Sequence, residues 1–115
     1  MIRVLLVDDR ADFRGAMASL LDGQPDIEVV AQAGSLADAR LKLGGVDVAL
    51  LDRGLPDGDG LELVGELRGA NPGARVFVIS STAETLHPTD AKESGADGII
   101  DKMDTPGEVF AAIRG

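Results

Sequence analysis

The sequence predicts an α/β fold: a doubly wound parallel sheet of five strands with five helices. Two observations carry this. Apolar, strand-like runs alternate along the chain with segments whose apolar residues recur at helical spacing. The runs are also too uniformly apolar for strands with one face in water, so the sheet must be covered on both faces. A third observation sets the scale: 115 residues, 44% of them hydrophobic, suit one domain with its own core.

Each element has a local reason. Val4–Val7 is the first strand. Phe13, Met17, Leu20 and Leu21 then follow at helical spacing, and Gly23 and Pro25 stop that helix. Ile27–Ala31 is a second, less apolar strand, as expected at a sheet edge. Ser35 opens the next helix in the manner of a capping box, with Asp38 in place of Glu. Leu36, Ala39 and Leu43 form its inner face, and Gly44-Gly45 closes it. Val46–Leu51 is nearly all apolar and reads as a central third strand. Leu61, Val64 and Leu67 make the third helix stripe, and Val76–Ile79 the fourth strand. Residues 83–94 make a poor helix, with few apolar positions and Pro88 lacking an N–H. Ile99-Ile100 is a brief fifth strand. Thr105-Pro106-Gly107-Glu108 starts the last helix, with Val109, Phe110 and Ile113 facing inward.

Composition excludes several functions. The net charge is −9, from 20 acidic and 11 basic residues, which argues against gripping a nucleic-acid backbone and suits a cation site. There is no Cys, hence no disulfide, thiolate metal site or Cys nucleophile. No apolar run approaches membrane-spanning length, and residues 1–8 do not resemble a signal peptide, so a cytoplasmic location is the expectation.

In parallel sheets of this kind, ligands bind beyond the carboxyl ends of the strands. Asp8 and Asp9 follow the first strand, Asp52 ends the third, Ser80, Ser81 and Thr82 end the fourth, and Lys102 follows the fifth. Taken singly, each has a plain explanation. Asp8 or Asp9 could cap the next helix, Asp52 could be a turn residue, Ser80 could bond to backbone, and Lys102 could be solvated. Together they converge on one rim, which accidents would not favour. An oxygen-only ligand set suits Mg²⁺ or Mn²⁺ rather than zinc.

Four segments, in order, resemble the receiver domain of two-component response regulators: "VLLVDD", "ALLDRGLPDGDGLEL", "VFVIS" with the following Ser81, and "GADGIIDK". The resemblance covers essentially the full chain, and "QPDIEVVAQA" is most similar to receivers that carry a helix-turn-helix output domain. It implies the flavodoxin-like strand order 2-1-3-4-5. It also implies that Asp52 accepts a phosphoryl group and that Mg²⁺ is held by Asp9, by Asp8 mainly through water, by Asp52 and by the Gly54 carbonyl. Lys102 would pair with the acyl phosphate and the Ser80 hydroxyl would hydrogen-bond to it. The phosphoryl donor would be a sensor histidine kinase, and the output transcriptional. A homodimer through the face of the fourth and fifth predicted helices is a further implication. On this reading the domain is no enzyme beyond catalysing its own modification and hydrolysis.

Some positions depart from the family pattern. Ile99 stands where an aromatic switch residue is usual, so the signal must travel through Ser80, its loop or aliphatic repacking. Met103 replaces the usual Pro, so no cis peptide is expected there. Arg53 is expected to be solvated. Gly54 places no side chain over the acceptor, leaving Thr82 and loop motion to limit water, so the aspartyl phosphate is expected to be short-lived. "DGDG" at 57–60 lacks the later ligands of a calcium loop and reads as turns, with Asp59 capping a helix. His87 is expected to be exposed and not catalytic. Two rival functions remain: a receiver-like interaction module that works without phosphorylation, and a small Mg²⁺-dependent phosphohydrolase. The latter would want a second acid at position 54, where Gly stands. The ending "AAIRG" suggests a longer native protein with an output domain beyond.

Overall fold

The computed structural model describes residues 1–80 and 95–115, with only the backbone of Ser80 included. The expectations for the Ser80 hydroxyl, Ser81, Thr82, His87 and the fourth predicted helix lie outside the described residues. Strands β1 (Ile2–Val7), β2 (Ile27–Ala33), β3 (Val48–Asp52), β4 (Arg75–Ser80) and β5 (Gly98–Asp101) form one sheet. Its order is β2-β1-β3-β4-β5 with every pairing parallel, as expected. Helices α1 (Ala11–Asp22), α2 (Leu36–Arg40), α3 (Leu63–Ala70) and a C-terminal helix (Pro106–Arg114) cover it.

Strand pleating divides the core into two layers. Leu5, Val7, Ala49, Leu51 and Val76 pack with Leu36 of α2 and with Leu63 and Leu67 of α3. Val4, Leu6, Val48, Leu50, Ile79 and Ile100 pack with Met17 and Leu21 of α1 and with Val109 and Ile113 of the C-terminal helix. Every residue of β3 is buried, which explains its unbroken apolar run ending in a single charge.

Several boundaries differ from the sequence reading, each for a tertiary reason. The second helix stops at Arg40 rather than at Gly44-Gly45: the Leu41 and Lys42 N–H groups close it with bonds to the Asp38 and Ala39 carbonyls, and Leu43 packs on the core from beyond its end. β3 begins at Val48; Val46 is left out of the sheet, its N–H going to Asn71 Oδ1 at 3.1 Å. Leu20 is exposed, lying at the margin of the α1 stripe rather than inside it. The Thr105 cap holds: its hydroxyl accepts the Glu108 N–H and Pro106 follows it. Ser35 likewise accepts the Asp38 N–H.

The β2 margin carries a bulge. Val4 pairs with Val29 and Leu5 with Ala31, so Val30 is skipped. Beside it, Asp22 Oδ1 accepts the Val29 N–H at 2.8 Å, and Lys42 Nζ donates to the Gln32 carbonyl at 2.8 Å. No described helix is long and apolar enough to cross a membrane.

Candidate functional site

Alternation at period two decides which strand-end side chains meet. Val4 and Leu6, Val48 and Leu50, and Ile100 all belong to the layer shared with α1 and the C-terminal helix. Asp8, Asp52 and Lys102 continue those three series, so they point to the same side of the sheet. Lys102 Nζ lies 3.1 Å from Asp8 Oδ2 and 3.5 Å from Asp52 Oδ2. Asp8 is fully buried, Asp52 is 2% exposed, and the Lys102 side chain is 10% exposed. Carboxylates at that depth need a counter-charge, and the ammonium supplies one. The same ammonium stands over the Phe13 ring, 5.0 Å from its centroid.

Asp9 is exposed, yet one carboxylate oxygen each from Asp8, Asp9 and Asp52 lies within 4.8 Å of the others. The described residues that meet there are three carboxylates and the Lys102 ammonium, a set in which negative charge exceeds positive. Asp8 Oδ2 sits beside Lys102 Nζ but has no aligned hydrogen-bond donor among the described residues. Excess charge, an all-oxygen donor set and an unfilled buried acceptor together fit a divalent cation of the magnesium type.

Backbone contacts hold these carboxylates in place. Asp8 Oδ1 accepts the Arg10 N–H at 2.8 Å, and Arg14 Nη1 donates to the Asp8 carbonyl at 2.7 Å. Neither aspartate caps α1, whose cap position is Arg10 with no side-chain bond. The plain explanation of the pair therefore fails. Gly54 donates its N–H to Asp52 Oδ1 at 3.2 Å.

The loop after Asp52 folds into a two-residue antiparallel ribbon, Gly54–Leu55 against Gly58–Asp59. Its two aspartates each start a different helix. Asp59 caps the 3₁₀ turn Gly60–Glu62 that leads into α3, as the sequence suggested, and Glu62 completes a capping box with it. Asp57 was not anticipated: it accepts the Leu36 and Ala37 N–H groups at 2.8 and 3.0 Å, at the start of α2. Those bonds hold the Asp57 carboxyl below the usual carboxylate range. Nothing near Asp57 in the sequence signals a partner twenty residues earlier. Arg53 is not simply solvated, because its Nε donates to Asp59 Oδ2 at 2.8 Å. Ile99 is 36% exposed on β5, and no cis peptide occurs among the described residues, Met103 included.

The response regulator receiver domain model matches residues 4–114. The chain is 38% identical over 116 residues to the DNA-binding transcriptional activator DevR/DosR of Mycobacterium tuberculosis, covering 99% of this chain and 54% of that protein. It spans between 53% and 58% of the length of such curated relatives. A CheY-like receiver domain protein from Methanospirillum hungatei superposes with a TM-score of 0.85 at 25% identity, covering 99% of this chain and 91% of the other. A response regulator from Burkholderia pseudomallei, solved with a phosphorylated aspartic acid, a calcium ion and citrate, gives 0.83 at 26% identity, covering 98% and 66%. With the sheet order, the acidic rim and this match in agreement, the chain belongs to the response regulator receiver domain family.

Proposed function

We propose that this domain is a phosphorylation switch in which Asp52 accepts a phosphoryl group from a sensor histidine kinase and thereby controls a transcriptional output. The observation that carries the reading is the meeting of Asp8, Asp9, Asp52 and Lys102 at one end of the sheet. The relatives support the output, and the phosphorylated aspartic acid of the Burkholderia protein supports the chemistry.

In the transfer, an Asp52 carboxylate oxygen forms a bond to phosphorus. The bond from phosphorus to the donor histidine nitrogen breaks, and its electron pair leaves with the imidazole. Lys102 remains an ammonium and turns from Asp52 toward the incoming phosphoryl oxygens. Asp8, Asp9, Asp52 and the Gly54 carbonyl are the residues that would hold Mg²⁺ or Mn²⁺. When bound, the cation neutralises charge on the phosphoryl oxygens. On this reading the Ser80 hydroxyl would donate to the new phosphoryl group; in hydrolysis, water forms a bond to phosphorus, the bond to the Asp52 oxygen breaks, and inorganic phosphate leaves. The activity is self-directed, with no external substrate turned over. A homodimer through the face of the fourth and fifth predicted helices is the proposed output contact.

Intact mass after acetyl phosphate and Mg²⁺ tests the reading. The wild type should gain one phosphoryl group and Asp52→Asn none. No gain in the wild type would favour an interaction module that works without phosphorylation. Turnover of a generic phosphate ester, lost in Asp52→Asn, would favour a phosphohydrolase.

A further inference from the structure

We infer that Phe13 is a positioning residue for Lys102: its ring face holds the ammonium at the height where it meets both Asp8 and Asp52. The inference rests on the phosphoacceptor role given to Asp52 above. It deepens that role by adding a residue that bears no charge and no hydrogen-bonding group.

Three observations carry it. Lys102 Nζ lies over the Phe13 ring at 5.0 Å from the centroid, within the range where the negative ring face attracts a cation. The Lys102 side chain is 10% exposed, so the attraction acts with little water to screen it. The ring itself is held, since Phe13 packs against the layer formed by Met17, Leu21, Val109 and Ile113.

Lysine needs such a fixture. Its four-carbon stem is flexible, and an ammonium, unlike a guanidinium, has no planar fork to fix its direction. Two carboxylates at 3.1 and 3.5 Å pull it toward the strand ends. Phe13, in the first turn of α1, adds a contact from the side of that helix. As Asp52 gains a phosphoryl group, the ammonium must exchange one carboxylate for phosphoryl oxygens without leaving the site. A neutral aromatic floor permits that exchange, because it holds the ammonium without neutralising its charge. Phe13 and Lys102 also line one groove of about 130 Å³ with Met17, Leu20 and Phe110, so ring and lysine share one wall of it.

The test uses the whole chain with acetyl phosphate and Mg²⁺, reading the rate of phosphoryl gain by mass. Phe13→Leu keeps apolar bulk and removes the ring face; the rate should fall by about tenfold. Phe13→Tyr should restore it to near the wild-type rate. Replacing Phe13 with 3,4,5-trifluorophenylalanine keeps the shape, so the fold is preserved, and it should slow transfer in the same direction. In a Lys102→Met background, Phe13→Leu should cost nothing further. The second readout is the NMR shift of the Lys102 ε-methylene protons, which the ring should displace upfield and which Phe13→Leu should return to the random-coil position. Equal rates in wild type, Phe13→Leu and the fluorinated chain would overturn the inference, as would an undisplaced Lys102 signal. So would an equal loss from Phe13→Leu with Lys102 absent. A wild type that takes no phosphoryl group would instead refute the function assigned to Asp52, and the NMR shift would still decide the placement of Lys102.

Discussion

Gly60 passes so close to Asp52 that a Cβ built on it would collide with the Asp52 backbone oxygen. Its N–H is donated to the Arg53 carbonyl at 3.1 Å, which pulls the returning loop against the acceptor strand. The obstacle is backbone, not a flexible side-chain end. Gly60→Ala should therefore destabilise the fold by about 3 kcal/mol, the upper range for overpacking. Urea unfolding should show a lower midpoint with an unchanged slope.

Gly54 presents the opposite case. A Cβ there meets nothing within 4 Å, and the residue is exposed beside the Asp52 carboxylate. Gly54→Met should fold with little change in stability and cover the acceptor from water. The aspartyl phosphate should then outlast that of the wild type several-fold, measured as the decay of the phosphorylated mass after donor removal. A wild-type lifetime of many hours would contradict the expectation that an uncovered acceptor hydrolyses quickly.

The carboxylate cluster at the rim should make the fold responsive to divalent cations. A cation bound only by the folded state raises stability by about 1.4 kcal/mol at ten times its Kd. Thermal unfolding should move upward as Mg²⁺ is added. Asp9→Asn removes an exposed member of the cluster without opening the core, and it should abolish that increment while leaving unfolding without Mg²⁺ nearly unchanged.

Acid should loosen the start of α2. Hydrogen bonds from Leu36 and Ala37 depress the Asp57 carboxyl in the folded state. Between its folded and unfolded values the unfolded chain binds the extra proton, so stability rises with pH there. The contribution is complete above the ordinary Asp range and is lost as pH falls through the depressed value. Asp57→Ala should lower the unfolding midpoint at neutral pH, and its difference from wild type should shrink once Asp57 is protonated. Asp26, depressed by Arg114, and Asp47, depressed by the Arg3 N–H, contribute with the same sign in their own backgrounds.

How far the site could be read in advance follows from the range of each interaction. Val4–Val7 and the run ending at Asp52 were legible because burial on both faces leaves an unbroken apolar signature. The partnership of Asp8, Asp52 and Lys102 was legible from their place at strand ends, and pleat alternation even fixes their common side. Asp59 was legible as a cap because the N–H it accepts lies only two residues on. The Asp57 bonds to α2 and the Phe13 contact with Lys102 were not, since each joins residues brought close only by the finished sheet. The early stop of α2 was hidden for a related reason: Leu36, Ala39 and Leu43 keep helical spacing, and Leu43 packs on the core although the helix has already ended at Arg40. Arg53 appeared solvated because its partner, Asp59, comes into reach only when the ribbon closes.

The bulge at Val30 and its two flanking side chains also bear on how copies of this molecule can meet. Asp22 already occupies the Val29 amide and Lys42 the Gln32 carbonyl, and the skipped residue breaks the register a guest strand would need. A guest strand would find those two groups taken and the register interrupted, so a high local concentration of this domain carries a smaller penalty of strand-to-strand stacking along that border.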